Sequence, residues 1–180
     1  MESEDRESVR RVVAGQTDVF RVLVDRHKQS IFRFASRLLG NWEEAEDVTQ
    51  DTFLAAFINL SGYDSSRAAF STWLFTIARN RCINLLKQRR PIALTELDSI
   101  GDVASADPIV SQELSQQLDR ALAALPVEQR SAFVLAEIEE LPYDEIARIE
   151  RTSVGTVKSR IHRAKQRLQS LLDPVMRGSK

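Results

Sequence analysis

The stretch SVGTVKSRIHRAKQRLQSLL, residues 153–172, decides how the rest of the chain is read. Val154, Val157, Ile161, Ala164, Leu168, Leu171 and Leu172 recur at helical spacing, so on a helix they fall in one arc that must pack against another part of the chain. The opposite arc carries Thr156, Ser159, Arg160, Arg163 and Arg167, flanked by Lys158, His162 and Lys165, with no carboxylate before Asp173. A helix that needs only solubility usually mixes signs. An unbroken basic face suits a polyanion.

Upstream, Pro142 to Ile149 (PYDEIARI) is a shorter helical pattern, Glu150-Arg151-Thr152 is a polar break, and Thr152 or Ser153 supplies an N-cap. The pattern is helix, turn, helix. In that motif the second helix enters the major groove and its first turns meet base edges, which suits small Gly155, Thr156 and Ser159 near the start and arginines further along. Hydroxyls and guanidinium forks match base edges and phosphates, so DNA binding is expected here.

With 180 residues, 43% of them apolar, the chain has material for one large globular domain or two small ones. Its 25 basic and 26 acidic residues nearly cancel, yet the signs are sorted along the sequence. Residues 41–51 carry five acids and no base, 67–90 six bases and no acid, 91–111 four acids and no base, and 151–167 six bases and no acid. Two basic blocks separated by an acidic stretch predict two DNA-contacting surfaces. The lone Cys82 cannot form an internal disulfide, and it offers no metal-ligand spacing with His27 or His162. The longest apolar run is Phe53 to Ile58, far too short for a membrane span, and the acidic amino terminus does not resemble a secretion signal; a cytoplasmic location without membrane insertion is expected.

Taken in order, residues 8–39 predict two helices broken near Gly15-Gln16-Thr17, the second ending at Gly40-Asn41. Residues 42–60 form a helix whose Glu43, Glu46, Asp47 and Gln50 make one strip continued by Leu54, a candidate protein-docking face. Ser61 to Arg67 is a turn-rich loop. A helix from Phe70 to Arg90 follows, with Leu74, Phe75, Ala78, Cys82, Leu85 and Leu86 on its apolar side, Cys82 being a small buried hydrophobe. Its other side sets Thr72, Thr76, Asn80, Asn84 and Lys87 beside Arg79, Trp73 and Ile83, and an aromatic ring among cations is how single strands are held; a core role for Trp73 is the competing reading. Pro91 to Val110 has linker composition, and the helical pattern of 112–140 is expected to bury the stripe of the last helix.

Three motifs, in order, carry a resemblance over about residues 10–172. At Ala45-Glu46-Asp47-Val48-Thr49-Gln50-Asp51-Thr52-Phe53, at Phe70-Ser71-Thr72-Trp73-Leu74 followed by Ile77-Ala78-Arg79-Asn80, and at Gly155-Thr156-Val157-Lys158-Ser159-Arg160, the chain resembles the extracytoplasmic-function sigma factors of bacterial RNA polymerase, within the sigma-70 family. The resemblance implies an all-α chain of two small helical domains, 1–90 and 112–180, joined by a flexible acidic linker over 91–111, the second domain containing the helix-turn-helix. It implies core RNA polymerase, promoter DNA and an anti-sigma factor as partners, promoter-directed initiation and melting as the function, and no catalytic residue, metal or cofactor.

Residue by residue, the resemblance assigns Asp47, Gln50, Asp51, Phe53 and Leu54 to polymerase binding, and the acidic strip adds Glu43 and Glu46 as candidates. It assigns Ser61, Gly62, Tyr63, Asp64 and Arg67 to a loop that captures a flipped base of the minus-ten element, and Trp73, Arg79, Asn80 and Lys87 to the helix beside the opened strand, with Thr76 a candidate on the same face. The minus-thirty-five set is Arg151, Thr152, Ser153, Thr156, Lys158, Ser159, Arg160, Arg163 and Lys165. The chain departs from the family pattern at Arg151, where a Gly often occupies the turn, at Glu140 and Pro142, which replace a common Gly and Ser, and at Asn84, which often is Asp. The rival reading is an autonomous helix-turn-helix regulator with residues 1–90 as a sensing or dimerising module; a second nucleic-acid face on 70–90 argues against it.

Overall fold

The computed structural model describes residues 2–89 and 109–177, and every described element is helical. Most of the expected linker, residues 91–108, lies outside the described residues. The N-terminal half comprises α1 (Glu2–Val13), α2 (Phe20–Leu39), α3 (Trp42–Ile58) and α4 (Phe70–Arg89). The C-terminal half comprises α5 (Ile109–Ala123), α6 (Val127–Phe133), α7 (Tyr143–Glu150) and α8 (Val154–Arg177).

The helix ends follow local chemistry. Gly40 stops α2 in the left-handed region at φ 66°, and the Asn41 side chain then caps α3 by accepting the Glu44 N–H at 3.0 Å. The first helix starts earlier than the apolar pattern predicts. Residues 2–7 have few apolar groups to mark a helix; instead Asp5, buried, pairs with Arg26 and lies 2.9 Å from His27 Nε2, which ties α1 to α2.

Phe34, Leu38, Leu74 and Ala78, all essentially inaccessible, sit where α2, α3 and α4 meet. Cys82 belongs to this core, as expected, and burial pushes its thiol pKa up to about 12. In the C-terminal half, Val157 and Ile161 of α8 join the same continuous core, together with Leu135, Ile146 and Ile149. A smaller cluster packs Ala164 and Leu168 against Ala121, Leu122 and Leu125, so the preceding helices do bury the last one. The stripe is shorter than its sequence suggests: Val154 and Leu171 are exposed, because the packing helices cover only the middle turns of α8.

Between α6 and α7 the chain passes through a π-helical turn, Val134–Ile138, then Glu140 at φ 54°. Arg151 closes α7 at φ 51°, ψ 49°. Glu140 and Arg151 thus both hold the left-handed backbone that glycine would favour.

Candidate nucleic-acid interface

Helix α8 presents its basic arc to solvent. Arg151, Ser153, Lys158, Ser159, His162, Arg163, Lys165 and Arg167 are exposed, and Thr152, Thr156 and Arg160 are half-buried at its base. Ser153 is the N-cap: its Oγ accepts the Thr156 N–H at 3.1 Å and lies 2.9 Å from Thr156 Oγ1. The hydroxyls that would meet base edges therefore also fix the start of the helix. Lys165 is engaged with Glu137 at 2.9 Å, and that hydrogen bond raises its pKa. At this solvated position the pair is a cheap one to exchange for a phosphate.

The first basic helix is placed differently. Trp73 is half-buried, with its ring centroid 5.2 Å from Tyr63 and 5.8 Å from Phe70. The competing core reading of Trp73 has support, since the residue packs on the core, and it also builds an aromatic group with the loop. Within that loop the Tyr63 hydroxyl donates to the Ala68 carbonyl at 2.9 Å, and Asp64 accepts the Ser66 N–H and hydroxyl at 2.9 and 2.7 Å, which lowers the Asp64 pKa. Ser61, Gly62, Asp64 and Arg67 are exposed around it.

Farther along α4, Asn80, Asn84 and Lys87 are exposed, whereas Thr76 is half-buried and donates to the Thr72 carbonyl at 2.8 Å. Thr72 is not on an open face. It is buried and donates to Glu145 Oε2 of α7 at 2.5 Å. Arg79 has only 11% of its side chain exposed; its Nε donates to Ser131 Oγ of α6 at 3.3 Å and lies 3.6 Å from Glu150 Oε1 of α7. The C-terminal helices cover this end of the expected strand-binding face.

The acidic strip on α3 is open. Glu43, Glu46, Asp47, Gln50 and Asp51 are exposed, and Leu54 extends the strip with 57% exposure, followed by Ile58 and half-open Phe57. Asp51 pairs with Arg81 at 2.6 Å. Phe53 is a correction: at 6% exposure it faces the core rather than a partner, on the flank of the helix that it shares with buried Ala56 one turn on.

Sequence reasoning missed Glu150, assigned above to a polar break. Its side chain is fully buried, with Oε2 accepting from Arg160 Nη1 at 2.6 Å. The signal was available: Ile146, Ala147 and Glu150 fall together with Tyr143 on one helical face, and Ile146 and Ala147 are buried. It also missed Arg130, whose burial lowers its pKa while it donates to the carbonyls of Leu38, Ala123 and Leu125, capping the ends of α2 and α5. Among the described residues, no group of three His, Cys, Asp or Glu side chains could hold a metal, and no helix is long and apolar enough to cross a membrane.

A helix-turn-helix behind a second helical module with its own basic helix defines a two-part, all-helical transcription protein. The sigma-70 region 2 family matches residues 23–92, and the sigma-70, region 4 family matches residues 115–168. The ECF RNA polymerase sigma factor SigW of Bacillus subtilis is 35% identical over 185 residues, which cover 96% of this chain and 98% of SigW. The ECF RNA polymerase sigma-E factor of Escherichia coli is 33% identical over 186 residues, 96% of each chain. Among solved structures, CnrH in complex with the cytosolic domain of CnrY aligns with a TM-score of 0.75 at 29% identity, over 94% of this chain and 97% of that one. The sigma factor RpoE in complex with the anti-sigma factor NepR, from Bartonella quintana, aligns with a TM-score of 0.73 at 30% identity, over 86% and 96%.

The chain belongs to the ECF sigma factors, and its function is promoter-directed initiation of transcription by RNA polymerase.

Proposed function

We propose that this sigma factor docks on core RNA polymerase through the α3 strip of Glu43, Glu46, Asp47, Gln50, Asp51 and Leu54. It reads the minus-thirty-five element with the Arg151 to Lys165 face and holds the opened minus-ten strand with the 61–67 loop and the Trp73, Thr76, Arg79, Asn80 and Lys87 face. The domains divide as 1–90 and 112–180 about a linker at 91–111, whose last three residues open α5. The observation that carries this reading is the coexistence of two basic helices, α4 and α8, with an open acidic strip that ends in exposed Leu54. An autonomous regulator needs one DNA face and no such strip.

On this reading the protein is cytoplasmic and non-catalytic. Polymerase supplies the chemistry, while the sigma factor contributes base contacts, phosphate contacts and strand stacking. An anti-sigma factor is a further partner, by analogy with the Bartonella RpoE complex with NepR. The test is a gel shift on promoter DNA with and without core polymerase. Specific retardation only with core supports the reading, and specific binding by the chain alone overturns it. In the same assay Asp47→Arg is expected to abolish the core-dependent shift at unchanged helicity, since reversing a charge at an electrostatic contact costs roughly 2–5 kcal/mol.

A further inference from the structure

We propose that Glu150 is a shared counter-ion that latches the two DNA faces together in the free chain, so that nucleic acid must displace it from Arg79 before the α4 face is usable. This rests on the reading of Arg79 and Arg160 as DNA contacts. The Glu150 carboxylate is wholly buried, yet its two oxygens face arginines from different halves of the molecule: Oε2 accepts from Arg160 of α8 at 2.6 Å, and Oε1 lies 3.6 Å from Arg79 of α4. Oε1 has no hydrogen-bond partner. A buried acceptor left without a hydrogen bond is costly, so the Arg79 side of the latch is its weaker side.

Three further side-chain pairs between the halves share one polarity. Arg33 of α2 donates twice to Glu139, at 2.7 Å each; Arg37 of α2 pairs with Asp119 of α5; and Thr72 of α4 donates to Glu145. Bases and a hydroxyl on the N-terminal half thus meet acids on the C-terminal half. A phosphate offers Arg79 the same kind of acceptor in a solvated setting, and so competes directly with Glu150. The exchange is reversible because Glu150 keeps Arg160 when Arg79 leaves, so no buried charge is stranded. Arg160 donates to Glu150 through Nη1, and a guanidinium has further N–H donors for a base edge.

The test uses the full-length chain without core polymerase. Small-angle scattering measures its compactness, and fluorescence anisotropy measures its binding to a labelled oligothymidylate single strand. Glu150→Gln, nearly isosteric, is expected to raise the radius of gyration and tighten single-strand binding by about tenfold, the scale of one buried arginine–carboxylate attraction lost from the closed state. Glu140→Gln removes the same charge nearby from an exposed side chain outside the latch, and should leave compactness unchanged and affinity within about twofold. Three outcomes overturn the proposal: a compact Glu150→Gln chain, an equal gain from Glu140→Gln, or an expanded chain whose single-strand affinity is unchanged. The last would also remove Arg79 from the DNA interface, whereas the first would leave that assignment standing. If Glu150→Gln loses helicity or cooperative melting, Glu145→Ala decides instead; it removes the acceptor of the Thr72 hydroxyl, and it should expand the chain and tighten binding by a smaller factor.

Discussion

Helices α4 and α8 carry the two basic blocks, but they show those blocks to different surroundings. On α8 the buried and exposed residues separate cleanly: Val157, Ile161, Ala164 and Leu168 face inward, while Lys158, Ser159, Arg163 and Lys165 face water. On α4 they do not. Leu74, Phe75, Ala78 and Cys82 pack into the N-terminal core, and Thr72, Trp73 and Arg79 meet the loop or the C-terminal helices. A helix covered from two sides loses the single amphipathic stripe that makes a surface helix easy to read. The difference bears on function: the proposed upstream-element reader is open in the free chain, and the proposed strand-holding face is partly closed.

The helix starts should separate the two most sharply. Phe70, which opens α4, is buried against His27, Tyr63 and Trp73. Phe70→Ala is expected to destabilise the fold by about 3–5 kcal/mol, measured by denaturant unfolding, because it empties the floor beneath the aromatic group. Val154, which opens α8, is 37% exposed, and Val154→Ala should stay within about 0.5 kcal/mol. Similar losses at both sites would mean that the start of α8 is packed as tightly as that of α4.

The Arg33–Glu139 pair offers a second, smaller separation. Its two hydrogen bonds join α2 to the segment before α7, Glu139 is nearly inaccessible, and the contact raises the Arg33 pKa. Arg33→Gln should cost about 1–2 kcal/mol, less than a fully buried pair because Arg33 is partly in water. Amide hydrogen exchange gives the sharper readout: protection should fall along α4 and α7, where the halves meet, and hold in the middle of α8, whose packing is internal to its own half. Equal loss along α8 would show that the C-terminal helices depend on the interface for their own order.

Much of this was legible from the chain. The all-helical class, the helix-turn-helix, the burial of Cys82 and the open acidic strip all follow from periodicity and spacing, since each is set within one helix. What escaped was what depends on two helices at once. Arg79 gave no sign of burial because nothing in α4 names its partner Glu150, some seventy residues along the chain, and Phe53 was carried into the docking set by its motif although it shares a flank with buried Ala56. Val154 and Leu171 kept the helical period past the end of the surface that covers α8. Periodicity reports which face could be buried; the neighbour's length decides how much of it is.

The smallest expected effect lies at the two strained turns on either side of α7. Glu140 and Arg151 hold φ 54° and 51° without being glycine. A left-handed backbone costs an L-residue roughly 1–2 kcal/mol, and glycine returns part of that gain through its freer unfolded chain, so each change to Gly should stabilise by at most about 1 kcal/mol. Thermal melting should show both variants slightly more stable. Their DNA binding should then diverge. Glu140→Gly removes an acid outside the proposed interface, so the slope of log affinity against log salt for holoenzyme on a promoter should stay the same. Arg151→Gly removes a cation exposed in the turn before the recognition helix, and the slope should become shallower by about one unit while melting improves. Opposite signs for stability and binding at Arg151, against a pure stability gain at Glu140, would show that the strained arginine is kept for its charge. An unchanged salt slope in Arg151→Gly would move the phosphate contacts of this motif entirely onto α8.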